Sequence, residues 1–226
     1  MSTSPKVAVI LSGCGVFDGA EIHESVFTLY ALDKRAANYQ CFAPDIDQAQ
    51  VIDHIKGEVV EGESRNVLVE SARIARGNIK PLSDYNAADF DALALPGGFG
   101  AAKNLSNFAF EGRNCTVNAD VERAIKDTVA ASKPMAALCI APAVMAKVLD
   151  GVEVTIGQDE ATAASIEAMG AKHSATGHGG IAIDPKYKLV TAPCYMLDST
   201  ITQVADGADA AIEALLAIVE DGEAVK

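Results

Sequence analysis

The sequence predicts an α/β protein with a mostly parallel sheet covered on both faces, and three observations carry the prediction. Short, uninterrupted apolar runs recur along the chain, the form a strand takes when helices cover both its sides. Segments with helical periodicity lie between them, so strands and helices alternate. Glycine-rich turns fall where several of the runs end.

Lys6 to Leu11 is the first run and reads as a central parallel strand. It ends in Ser12-Gly13-Cys14-Gly15-Val16-Phe17-Asp18-Gly19. Asp18, with Glu21 three residues on, predicts a capping box opening a helix through about Ala36, with Ile22, Val26, Leu29 and Tyr30 as its apolar stripe. Tyr39 to Pro44 is a second strand, closed by proline. Two helical patterns are predicted between Gln48 and Gly77, the second carrying Val67, Leu68, Ala72, Ile74 and Ala75. Asp91 to Leu95 is a buried strand that runs into Pro96-Gly97-Gly98-Phe99-Gly100, and a long loop follows from Lys103 to Asn118. Asn118 is placed to cap a helix over Ala119 to Ala131.

Lys133 to Lys147 changes period partway. A short apolar strand gives way to a helix, with Pro142 in the first turn, where a missing N–H leaves no bond unmade. Val152 to Ile156 then reads as strand, Glu160 to Met169 as a helix ended by Gly170, and Lys172 to Thr176 as a short strand. Ile181–Asp184 and Lys188–Thr191 predict a small antiparallel hairpin about Pro185-Lys186-Tyr187. A last helix covers about Ala208 to Glu220. No repeat or linker divides the chain, and 1–226 is read as a single domain.

Hydrophobic residues at 50% and charged residues at 22% are ordinary for a soluble globular protein. The formal net charge of −13 argues against nucleic acid and anionic membrane as partners, because both need basic surface. No run approaches the ~18 uninterrupted apolar residues of a membrane span, and the first residues do not form a signal peptide, so a cytoplasmic location is expected. The first glycine loop is neither G-x-G-x-x-G nor a lysine-bearing phosphate loop, which leaves no nucleotide site. Five cysteines (Cys14, Cys41, Cys115, Cys139, Cys194) are scattered, odd in number and without a C-x-x-C, so structural zinc and a disulfide framework lose ground to individual thiols. No metal and no cofactor are expected.

Cys139 sits at the change of period, with Ala137 and Ala141 two residues to either side. This is the small-x-nucleophile-x-small pattern of a nucleophile elbow, where a tight strand-to-helix turn holds the reactive group at a helix N-terminus and favours its thiolate. A cysteine between leucine and isoleucine is also an ordinary buried core residue. In open α/β sheets ligands bind beyond the carboxyl ends of the strands, and Ser12–Gly19, Pro96–Gly100 and Cys139 all fall at such ends. The amides of Gly98 and Ile140 are candidates for an oxyanion hole facing an adduct on Cys139, although Pro96-Gly97-Gly98 also reads as a plain turn.

Val7 to Leu11 followed by Gly19-Ala20-Glu21-Ile22-His23-Glu24, Leu95-Pro96-Gly97-Gly98, and Ala137-Leu138-Cys139-Ile140-Ala141-Pro142 together resemble the PfpI-type branch of the class I glutamine-amidotransferase-like superfamily. Within it, Ser12–Gly19, Pro96-Gly97-Gly98-Phe99-Gly100-Ala101-Ala102-Lys103-Asn104-Leu105 and Cys139–Pro142 look like the ElbB-type glyoxalase, once linked to isoprenoid biosynthesis. The resemblance implies a flavodoxin-like three-layer sandwich, a homodimer, Cys139 as nucleophile and Glu24 as its carboxyl partner, close to the sulfur and able to be protonated. Helix spacing alone puts Glu24 opposite the apolar stripe, where a solvated glutamate is the ordinary expectation. One departure stands out: the glyoxalase histidine that should follow the elbow helix falls on Gly157, so a Cys-His-Glu triad does not carry over. His23, beside Glu24, is the nearest substitute in sequence, and Cys14 is a possible pocket residue. His173 and His178 lie outside the matched motifs and do not form the His-x-Glu pair of true glutamine amidotransferases.

The expectation is therefore a slow, cofactor-free cysteine enzyme acting on a small dicarbonyl. It would turn glyoxal or methylglyoxal into glycolate or lactate, with protein deglycation as a related activity. Two rivals remain at this point: a redox-sensing Cys139 with vestigial catalysis, and a glutaminase or amidase subunit, against which the missing His-x-Glu pair argues.

Overall fold

Period-two alternation in the first strand sets the layering of the molecule. In the computed structural model, which describes residues 4–222, β1 spans Lys6–Ile10. Val7 and Val9 pack into one apolar cluster, Ala8 and Ile10 into another on the opposite face, and all four are fully buried. The chain continues through α1 (Ile22–Lys34), β2 (Asn38–Ala43), the two-residue strands β3 (Ile52–Asp53) and β4 (Glu58–Val59), α2 (Val67–Ile74) and β5 (Ile79–Pro81). Then come β6 (Ala92–Leu95), α3 (Phe99–Lys103), α4 (Phe108–Glu111), α5 (Ala119–Ala130), β7 (Met135–Leu138) and α6 (Pro142–Val148). Last are β8 (Glu153–Val154), α7 (Glu160–Glu167), β9 (Lys172–His173), β10 (Ala182–Asp184), β11 (Leu189–Ala192) and α8 (Ile201–Asp221).

Seven strands form the central sheet in the order β10-β11-β7-β6-β1-β2-β5. Every neighbouring pair is parallel except β10 with β11, the predicted hairpin. On one face, α5 and α6 lay down Val121, Ile125, Val144 and Met145; on the other, α1 and α8 supply Ala31, Leu32, Ile212 and Leu215. This is the expected flavodoxin-like three-layer sandwich.

Several local expectations are corrected. The helix foreseen after Gln48 is instead the β3–β4 hairpin, because Asp53 Oδ1 accepts from the amides of Ile55 (2.9 Å) and Lys56 (3.2 Å) and folds a turn there. The strand foreseen over Val152–Ile156 shrinks to two residues, which pair with β9 in a separate small sheet. Part of the Lys103–Asn118 loop is helical, and β5, at the sheet edge, was not foreseen. The last helix begins at Ile201 rather than Ala208, where Thr200 and Gln203 form a reciprocal capping box.

The most consequential correction concerns α1. Its cap is Glu21, whose carboxylate accepts from Glu24 N at 2.7 Å, while Asp18 accepts from Ile52 N at 2.8 Å and ties the loop to β3. The helix faces inward with Glu24, Ser25, Thr28, Ala31 and Leu32, and leaves Ile22, Val26 and Tyr30 exposed. Burial of the two hydroxyls is tolerated because Ser25 Oγ and Thr28 Oγ1 donate to the carbonyls of Glu21 and Glu24, 2.7 and 2.8 Å away. Leu32→Ala should therefore cost about 2–5 kcal/mol in denaturant unfolding, whereas Val26→Ala should stay within about 0.5 kcal/mol. Equal costs would mean that the helix packs on the face its apolar stripe suggests.

Candidate active site

Four strand ends meet over one point of the sheet. β1 delivers the loop to Glu21, β6 delivers Pro96-Gly97-Gly98, β7 delivers Cys139, and β11 delivers Pro193-Cys194-Tyr195. Cys139 takes φ 59°, the left-handed turn expected of a nucleophile elbow, and its amide donates to Ala192 O at 2.9 Å. Only 7% of it is exposed, yet it lines the floor of a cavity of about 220 Å³.

Glu24 reaches the same point from the first turn of α1 and is fully buried. Its Oε1 accepts from Tyr195 N and its Oε2 from Gly97 N, both at 3.1 Å, and the carboxyl lies close enough to the Cys139 thiol for its charge to raise it. The approach depends on Gly97 lacking a side chain: a Cβ there would overlap Cys139 Cβ and stand 2.6 Å from Glu24 Oε2. Burial raises the Glu24 pKa to about 8, more than the two amides and the thiol can offset, so the carboxyl is protonated at neutral pH. Burial also pushes the Cys139 thiol up, with the neighbouring Glu24 charge adding to it, while the Gly98 N–H pulls the other way. The thiolate expected from the helix terminus is thus opposed by desolvation. The pair loses its first proton as a unit, and one negative charge is then shared by two groups in contact.

The remaining sequence candidates divide. Gly98 and Ile140 both line the cavity beside Cys139, as an oxyanion site requires. His23 lies on the exposed side of α1, but its Nδ1 is 2.8 Å from the hydroxyl of Tyr195, a cavity residue. Cys14 is not in the pocket: Gly13 N donates to Ser71 Oγ at 2.8 Å, and this draws the loop toward α2 so that Cys14 lies near Glu70 and Arg73. No histidine lines the cavity. His54 accepts from Phe17 N, His173 from Ile156 N, and His178 pairs with Ser199 Oγ. Gly157 has φ 86°, where a side chain strains the backbone, and a Cβ there would meet Leu197 Cδ2 at 2.8 Å, so a residue other than glycine would require the Leu197 side chain to shift.

Sequence reasoning missed Tyr195 and Cys194. The signal was present in Leu189–Ala192, a fully buried strand whose end is as much a site position as those of β1, β6 and β7. Cys194 is buried close enough to Cys139 for its charge to raise the Cys139 thiol. Among the described residues no group of three or more His, Cys, Asp or Glu side chains is arranged to hold a metal ion.

Fold and elbow together define an α/β protein of amidotransferase-like architecture with a cysteine at the nucleophile position. No family model matches the chain. A human protein, glutamine amidotransferase-like class 1 domain-containing protein 3, mitochondrial, is 49% identical over 220 residues, which cover 93% of this chain and 82% of the relative. The rat ES1 protein homolog, mitochondrial, is 48% identical over 93% of this chain and 83% of its own length. The crystal structure of an isoprenoid biosynthesis protein with amidotransferase-like domain from Ehrlichia chaffeensis superposes with TM-score 0.88 at 38% identity, covering 95% of this chain and 99% of that one. The chain belongs to the class I glutamine amidotransferase-like family. The relatives' names also overturn the cytoplasmic location expected above, since they point to mitochondria.

A raised acid pKa in the native state has a definite sign. Between about pH 4.5 and about pH 8 the folded protein keeps the Glu24 proton and the unfolded chain loses it, so this group's stabilising contribution is complete below about 4.5 and is lost as pH rises through about 8. Unfolding free energy should fall by up to about 1.4 kcal/mol per pH unit across that window. Glu24→Gln should remove this slope and lower stability at pH 5 by about 1–3 kcal/mol, because its amide cannot accept from both backbone N–H groups. Parallel pH curves for the two proteins would show that Glu24 titrates normally.

Proposed function

We propose that the protein is a cofactor-free, cysteine-dependent glyoxalase acting on α-oxoaldehydes. The observation that carries this reading is the contact between the Cys139 thiol on its left-handed turn and the buried, protonated Glu24 carboxyl, at the floor of a cavity. A sulfur attacking an aldehyde needs its own proton removed and the new oxyanion neutralised, and a carboxyl that titrates near pH 8 beside it can exchange protons with both.

The Cys139 sulfur adds to the aldehyde carbon and forms a hemithioacetal, whose oxygen is stabilised by the Gly98 and Ile140 amides and takes up a proton. The former aldehyde C–H then gives up its proton while the adjacent carbonyl oxygen gains one, which makes an enediol. Reprotonation at the neighbouring carbon leaves a 2-hydroxyacyl thioester on Cys139. Water hydrolyses the thioester, releasing glycolate from glyoxal or lactate from methylglyoxal and restoring the thiol. The overall change is addition of one water, with no net redox. With Gly157 where the glyoxalase histidine would stand, these proton transfers fall to Glu24 and to the Tyr195–His23 pair at the cavity wall, which supports slow turnover.

Purified wild-type protein should consume glyoxal and yield glycolate, at a rate that rises as pH approaches about 8, where the buried pair first carries charge. Cys139→Ala should fall to the buffer blank, and Glu24→Gln by about 100-fold or more. Equal consumption by wild type, Cys139→Ala and buffer alone would end the enzyme reading.

A further inference from the structure

We infer that the preferred substrate is an α-oxoaldehyde bearing an apolar arm of about three to six carbons, rather than glyoxal itself; this rests on the glyoxalase reading of the same site. The cavity over Cys139 is the ground for it. At about 220 Å³ it exceeds the need of a bare dicarbonyl: a water needs only about 10–15 Å³ of such a cavity, so the four non-hydrogen atoms of glyoxal would leave more than half of it empty.

Its walls are chemically one-sided. Phe99 from α3, Phe108 from α4, Val16 from the first loop, and Ile140 and Met196 beside the reactive turn all face it. Thr162 and Tyr195 contribute the only side-chain hydroxyls among the lining residues, and the Tyr195 hydroxyl is already engaged by His23. No charged side chain lines the cavity among the described residues. Lys103, the nearest candidate through its position over the Phe99 ring, is held by Phe17 O and Gln50 Oε1, both at 2.9 Å. A phosphate, carboxylate, ammonium or polyol arm would give up its hydration there and receive little in return, whereas each methylene would leave water for an apolar wall.

The test is a series of kcat/KM values for glyoxal, methylglyoxal, 2-oxohexanal, phenylglyoxal and a carboxylate-armed 2-oxoaldehyde, with Cys139→Ala as the blank. Each added carbon should raise kcat/KM about three- to four-fold, chiefly through KM, until the cavity is full. 2-Oxohexanal should thus exceed methylglyoxal by at least about ten-fold, and the carboxylate-armed compound should fall below methylglyoxal. Ala109→Phe, at the exposed rim, should narrow the cavity and pull the 2-oxohexanal-to-methylglyoxal ratio toward one. Cys139-dependent turnover of methylglyoxal with no gain from the longer arm would overturn the apolar-arm inference and leave the glyoxalase reading standing. A ratio unmoved by Ala109→Phe would overturn the assignment of the arm to this cavity. Absence of Cys139-dependent turnover for every aldehyde would overturn both.

Discussion

The burial of one carboxyl beneath one thiol is the constraint around which this molecule is arranged. Removing an ionised carboxylate from water costs several kcal/mol, and two backbone amides at 3.1 Å do not restore it. Glu24 therefore keeps its proton at neutral pH. A neutral carboxyl can accept at both oxygens and still direct its hydrogen at a neighbour, which an amide in its place cannot do. Glu24 is brought to the sulfur by the Glu21 side-chain cap that starts the helix, by Gly97 with no Cβ to intervene, and by the amide of Tyr195 at the end of β11.

The absence of a cavity histidine follows from the same packing. Gly157 occupies a left-handed backbone position packed against the Leu197 and Pro193 side chains, so an imidazole there would meet both backbone strain and those side chains. Tyr195 links two devices, since its amide holds Glu24 and its hydroxyl holds His23. Acid–base capacity near the thiol is concentrated in a carboxyl on one side and a phenol–imidazole pair on the other. The lining of the cavity beside Cys139 is mostly apolar.

Legibility varied with how local each determinant was. Asn118 as cap, Pro142 in the first turn of α6 and the Cys139 elbow are decided within a few residues, and the structure has them as read. Helix α1 misled for a physical reason. Ile22, Val26 and Tyr30 of its apolar stripe lie on the outer side, while its buried side is built from Ala31 and Leu32, two self-satisfied hydroxyls and one glutamate. A hydrophobic stripe identifies the buried face only when polar residues have no way to satisfy themselves inside, and Ser25 and Thr28 had one. The β3–β4 hairpin was misread because the Asp53 side chain, not hydrophobic periodicity, decides that turn.

What the sequence determined by itself was the alternation of the central strands with the helices that cover them, the cysteine turn, and the glycine loops at strand ends, because these rest on apolar period, proline and glycine geometry, and caps within one or two turns. Tertiary structure alone decided that Glu24 is buried and protonated, that Tyr195 closes the site, that Cys14 turns away, and that Gly157 packs against Leu197 and Pro193. Each of those depends on atoms brought together from distant parts of the chain, and desolvation, which moves the pKa values, exists only once they are packed.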